Sequence, residues 1–149
     1  MPIVLRLNLK KIYQMSNYYA TARSNYFGIK DKEAFDEALH DIPVQFEHRG
    51  DNEAMIFATC ETDGAWPFNY EGPAGEELEI NWIDIISPHL EDNHICILAE
   101  AGSEGLSYLI GWTMAFNNKG ENISLDLEDI VRLAKQKFGE SAIITKPSY

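Results

Sequence analysis

A serine, a histidine, two cysteines and three carboxylates have the side-chain types that could do chemistry in this chain, and their spacing decides which chemistry. Ser103 lies in Ala101-Gly102-Ser103-Glu104-Gly105, which matches a nucleophile elbow with Ala in the first position. That motif needs a sharp strand-to-helix turn that lifts the serine beside a histidine and an oxyanion hole. Here residues 102–105 separate two apolar runs of strand character, so they read as a Gly-rich hairpin turn. His94 and Cys96 fall on one face of the same strand, and Cys60 could approach them. A structural zinc site wants four ligands and usually a close C-x-x-C or H-x-x-x-H pair, which the sequence lacks. Neither a metal nor a cofactor is expected, and Cys60 and Cys96 both read as free, buried thiols.

Asp63, Glu100 and Glu104 are candidate pocket carboxylates. Paired catalytic acids are recognised by separation and environment, so no catalytic residue is assigned from them. The spacing of acids in the loop at 61–79 matches no EF-hand. Within that loop, Asp63-Gly64-Ala65-Trp66-Pro67-Phe68 sets Trp66 and Phe68 around a proline. The pair is either an exposed anchor for a partner or a plug folded onto the core. The plug is favoured, because large aromatics are more often buried.

Charge is the strongest signal. All 24 acids lie after residue 30, where only seven bases accompany them, leaving about −17 on that part. Residues 1–30 hold five bases and no acid, and between Arg49 and Lys119 there are 13 carboxylates and no Lys or Arg. That stretch cannot neutralise itself locally and should present a negative field. Direct nucleic-acid binding is disfavoured by the sign. Glu76, Glu77, Glu79, Asp84, Glu91 and Asp92 are expected to gather around a central helix as a partner-binding surface.

The elements that must position these residues follow from periodicity. A chain of 149 residues with 17 aromatics is one domain with a proper core. Residues 18–29 read as a strand. Asp31 caps a helix carrying Phe35, Ala38, Leu39 and Ile42 that Pro43 ends. Residues 44–49 and 54–60 form a hairpin around Gly50-Asp51-Asn52. Asn81 caps a short helix through Leu90 that Pro88 must kink or end. Strands at 94–101 and 106–116, an extended piece at 122–125, a helix begun by Asp126 and Asp129 and closed by Gly139, and an edge strand at 142–145 complete the order. The resulting fold class is α+β: one domain, an antiparallel sheet of about five to six strands, and two to three helices mainly on one face.

No run of 18 apolar residues is present, so no membrane helix is expected. Residues 1–14 read as an extension of a domain spanning 15–149, with Met15 as an alternative translation start. The extension lacks a signal-peptide pattern, and a cytoplasmic location is expected.

Ser24-Asn25-Tyr26-Phe27-x-x-Lys30-Asp31, and Tyr108-Leu109-x-Gly111 through Asn117-Asn118-Lys119-Gly120-Glu121, resemble a poorly characterised group of small acidic proteins carried on bacterial phages, plasmids and integrated elements. Trp66 and Glu104 resemble positions in that pattern. The resemblance implies an accessory or anti-defence role, against restriction or CRISPR systems, where acidic DNA mimics are common. The expected function is therefore a non-enzymatic acidic binding protein that blocks a basic-grooved partner: a nuclease, a CRISPR or restriction component, or a repressor. Two alternatives stand beside it. One is a small ligand-binding domain or enzyme using the 61–79 loop, and the other is a regulatory homodimer paired through exposed strand edges.

Overall fold

Seven strands form one antiparallel sheet in the computed structural model of the chain, which describes residues 18–105, 108–145 and 147. The extension at 1–14 and the Met15 start lie outside the described residues. Strand β1 (Tyr18–Ser24) pairs with β7 (Cys96–Glu104), which pairs with β8 (Tyr108–Phe116), which pairs with β9 (Asn122–Asp126). On the other side of β1, strand β4 (Glu53–Phe57) takes Arg23 opposite Phe57, and then takes β2 (Phe27–Gly28) with Phe27 opposite Ala54. Strand β3 (Gln45–Arg49) closes that side as a hairpin with β4.

What reads as one strand over residues 18–29 is therefore a bulged pair. The register against β4 slips by one residue between Arg23 and Phe27, the signature of a β-bulge. Polar side chains repair the ladder there. Ser24 Oγ accepts the Ile56 N–H at 2.9 Å, and the Asn25 amide bridges to β7 through Ile95 C=O and Ile97 N–H.

Helix α1 (Lys32–Leu39) starts where Asp31 accepts the Ala34 N–H at 3.1 Å, and it buries Phe35 and Leu39. Helix α2 (Trp82–Ile86) starts where Asn81 accepts the Asp84 N–H at 3.2 Å, and it buries Trp82 and Ile86. It is shorter than expected. Ser87–His89 tighten into a 3-10 turn with Pro88 inside it, because proline cannot supply the N–H that a continuing helix needs. Both helices share one core with Ala22, Ala54, Ile56, Cys96, Leu98 and Phe116, so they cover the same sheet face. Phe35 sits at its centre, edge-on to Phe27, Phe46, His48 and His89 at 5.8–6.1 Å.

The irregular stretch after β4 contains an unexpected ribbon, β5 (Asn69–Glu71) with β6 (Glu77–Glu79). Helix α3 (Asp129–Phe138) follows β9, and its start is a reciprocal box. Asp126 N–H donates to Asp129 Oδ2 at 2.7 Å, and Asp129 N–H donates to Asp126 Oδ1 at 3.1 Å. No residue of α3 is buried, so this helix stands apart from the two that cover the sheet. The edge strand expected at 142–145 does not form. That segment is irregular, Ile143 is exposed, and no strand among the described residues pairs with it. None of the described helices is long and apolar enough to cross a membrane.

Burial against Phe35 pushes the His89 imidazole below its ordinary value of 6.5, opposed by Asp31 and assisted by Lys30. The folded state then binds fewer protons than the unfolded chain between the lowered value and 6.5, so stability falls as pH drops through that window. In melts from about pH 7 to about pH 5, the wild type should lose more stability than His89→Gln. Equal slopes for the two proteins would remove His89 as the cause.

Candidate functional site

The sheet and its covering loop bring the candidate carboxylates into three different places. Glu100 lies mid-strand on the core face of β7 and is only 7% exposed. Its Oε1 accepts the Trp66 N–H at 2.7 Å and its Oε2 accepts the Tyr18 hydroxyl at 2.6 Å. Both oxygens are thus engaged in tying the 61–68 loop and the start of β1 to β7. Burial, and then the bond to Glu100, push the Tyr18 phenol well above its ordinary range. Glu104 shares that strand face, exposed, and four residues along a strand is about 13 Å. Asp63 is on the far side of β1 from β7: its C=O accepts the Ala20 N–H at 3.0 Å, while Ala20 pairs with Gly102 in the ladder. The fold does not assemble these three into one cluster.

The loop between β4 and β5 docks along β1. Ala58 N–H donates to Ala22 C=O, a 3-10 turn at Cys60–Thr62 follows, and Gly64 then presses on Ala20. Gly64 has a positive φ of 81°, and an added Cβ would lie 1.8 Å from the Ala20 carbonyl oxygen. Only glycine fits that approach. Trp66 is the plug: buried, it donates Nε1–H to Ala99 C=O at 3.1 Å and meets Trp82 edge-on at 5.5 Å. Trp82 in turn donates Nε1–H to Pro67 C=O at 3.0 Å. Phe68 behaves differently, half exposed over Trp112 at 6.0 Å.

Ser103 is not in a turn. It pairs with Tyr19 and Leu109 inside the ladder, and the hairpin reverses only beyond Glu104, which pairs with Tyr108. The strand runs through Gly102 because β1 approaches it closely, 2.5 Å separating an added Cβ from the Tyr19 carbonyl oxygen. Cys96 is fully buried, and burial pushes its thiol up, whereas Cys60 is exposed rather than buried as expected, because it begins the 3-10 turn at the surface. His94 precedes β7 rather than lying in it, and its Nδ1 accepts the Gly28 N–H at 2.9 Å. Among the described residues no group of three or more His, Cys, Asp or Glu is placed to hold a metal.

The expected acidic residues fall on three segments: the ribbon, the first turn of α2 and the stretch after the 3-10 turn. The ribbon turns Tyr70 inward against the core and sets Glu71 directly opposite Glu77, with Glu79 two residues along on the same exposed face. Glu76 sits at the tip beside Gly72. Asp84 is exposed in the first turn of α2, and Glu91 and Asp92 follow the 3-10 turn, Asp92 accepting the Asn118 amide at 2.7 Å. The ion pairs among the described residues join Asp36 to His48, Glu53 to Arg49 and Asp129 to Arg132, so none neutralises this group. Like charges directly opposite in a ladder destabilise it by roughly 0.2–1 kcal/mol. Glu71 was not anticipated as a member. Its signal was the alternation Asn69-Tyr70-Glu71 and Glu77-Leu78-Glu79 around Gly72-Pro73-Ala74-Gly75. Tyr18 as the partner of Glu100 was also missed, because the pairing spans 82 residues.

No protein-family model matches the chain, and no curated protein or solved structure matches it.

Glu100→Ala should destabilise the fold by about 1–3 kcal/mol, because it strands the buried Trp66 N–H and Tyr18 hydroxyl without an acceptor. Glu100→Gln keeps one oxygen for Trp66 and should lose less. Denaturant unfolding with tryptophan emission as the probe measures both, and Glu100→Ala as stable as wild type would refute the anchoring role.

Proposed function

We propose that the protein is a non-enzymatic binding protein that occupies a Lys/Arg-lined groove of a nucleic-acid-handling partner through its acidic ribbon and the adjoining α2 surface. The observation that carries this reading is the exposed Glu71–Glu77–Glu79 face of the β5–β6 ribbon, with no ion-pair partner among the described residues. Residues two apart on a strand span about 7 Å, so three carboxylates there approach the duplex DNA density of one charge per about 1.7 Å. A fold that tolerates like charges face to face, where a lysine would relieve them, favours a cationic ligand over simple solubility.

The mechanism is steric and electrostatic. The carboxylates steer association, then replace phosphates in the groove, and the partner is kept from its nucleic acid without chemistry. The resemblance to small acidic proteins of bacterial mobile elements supports an anti-defence setting. The partner is then a restriction or CRISPR component, another nuclease, or a repressor, met in the cytosol. Direct contact with DNA or RNA has no part in this mechanism.

The test is displacement of duplex DNA from candidate partners by the full chain across a salt series. Inhibition should weaken at least about tenfold between about 50 and about 200 mM salt. Replacing Glu71, Glu77 and Glu79 together by Gln should abolish most of it while leaving the melting temperature unchanged or raised. Salt-independent inhibition, or full inhibition by the triple variant, would rule the mechanism out.

A further inference from the structure

We propose that β9, the sheet face opposite the helices and the apolar stripe of α3 form the interface of a symmetric homodimer. A sheet face and a helix stripe are stable when each covers the other. Among the described residues of one copy, neither is covered. The ladder places Leu125 opposite Thr113 and Ile123 opposite Ala115, on the face away from α1 and α2, and both are exposed together with Ile97 and Leu109. Leu127 extends that face, its side chain lying over Gly111, where an added Cβ would come within 3.0 Å. Helix α3 presents Ile130 (63% exposed), Leu133 and Phe138 (75% exposed) to solvent. These exposed side chains together amount to on the order of 800 Å², one partner's share of a standard interface.

Backbone geometry supplies an independent reason for the partner to be a second copy. Leu127 N–H donates to Gly111 C=O, so by alternation the N–H groups of Ile123 and Leu125 also point toward β8. Those of Asn122, Ser124 and Asp126 point outward. Asp129 occupies the Asp126 donor, and among the described residues no strand pairs with the outer edge of β9. An antiparallel second β9, related by a two-fold axis at Ser124, exchanges both Ser124 hydrogen bonds with its own equivalent. Helix α3 follows directly on the paired strand in each copy, so its apolar stripe is available to the bare face beside the seam.

Charge points the same way. Residues 122–138 hold three acids (Asp126, Glu128, Asp129) and three bases (Arg132, Lys135, Lys137), a neutral segment in a chain of net charge −12. Two strongly acidic molecules meet there with less local repulsion than at their acid-rich segments, whereas a basic partner is drawn to the ribbon.

Analytical ultracentrifugation of the full chain at micromolar concentration should show a dimer. Leu125→Glu, and separately Ser124→Pro, which removes an outward N–H and no β8 bond, should each raise the dimer dissociation constant at least tenfold with an unchanged far-ultraviolet circular dichroism spectrum. Phe138→Glu, at the exposed end of α3, should do the same and keeps the test decisive if a β9 variant folds poorly. Amide exchange at Asn122 and Ser124 should slow as concentration rises. A wild-type monomer at these concentrations, or a dimer whose affinity survives both Leu125→Glu and Phe138→Glu, overturns the proposal.

Discussion

One buried carboxylate holds the layers of this molecule in register. Glu100 carries its charge onto the core face of β7, where an isolated carboxylate would be costly to bury, and it is tolerated because two donors converge on it. Those donors come from opposite ends of the described fold's construction: the first residue of β1 and the loop that leads to α2. From Trp66 the constraint passes to Trp82 through a ring contact, and from Pro67 to Trp82 through a hydrogen bond, so the helix is fixed as well. The ribbon grows from this same loop, with Ile80 N–H returning to Phe68 C=O at 2.7 Å. The negative surface thus stands on a foundation that is itself anchored by a negative charge.

Much of the architecture was legible because local rules and tertiary packing agreed. Asp31 and Asn81 cap the helices they were expected to cap, Asp126 and Asp129 form their reciprocal pair, and Gly50-Asp51-Asn52 turns the β3–β4 hairpin. The misreadings came where a long-range partner outvoted a local signal. Gly102 looks like a turn residue in isolation. Its role is set by a strand 80 residues earlier that leaves no room for a side chain. Strand-like alternation over 18–29 conceals a bulge, since Ser24 and Asn25 reveal their repair function only once β4 and β7 flank them. Residues 142–145 have strand propensity but lie irregular after α3, paired with no strand among the described residues.

The candidate site divides the same way. Carboxylate identity was visible, and so was the absence of bases between Arg49 and Lys119. Which acids share a face was not, because three-residue strands are too short to declare a period. Trp66 followed the general preference of tryptophan for the interior, but its neighbour Phe68 did not. The molecule exposes carboxylates on the β5–β6 ribbon and α2, and apolar side chains on the bare sheet face and on α3.

The two cysteines, different in every physical respect, have a practical consequence. Cys96 is sealed in the core and its thiol resists ionisation, whereas Cys60 begins the 3-10 turn at the surface, three residues before Asp63 docks on β1. Thiolate is the reactive form. The unaltered chain therefore offers a single addressable sulfur, and a maleimide dye there would report on the docked loop beneath Trp66 without any engineered residue.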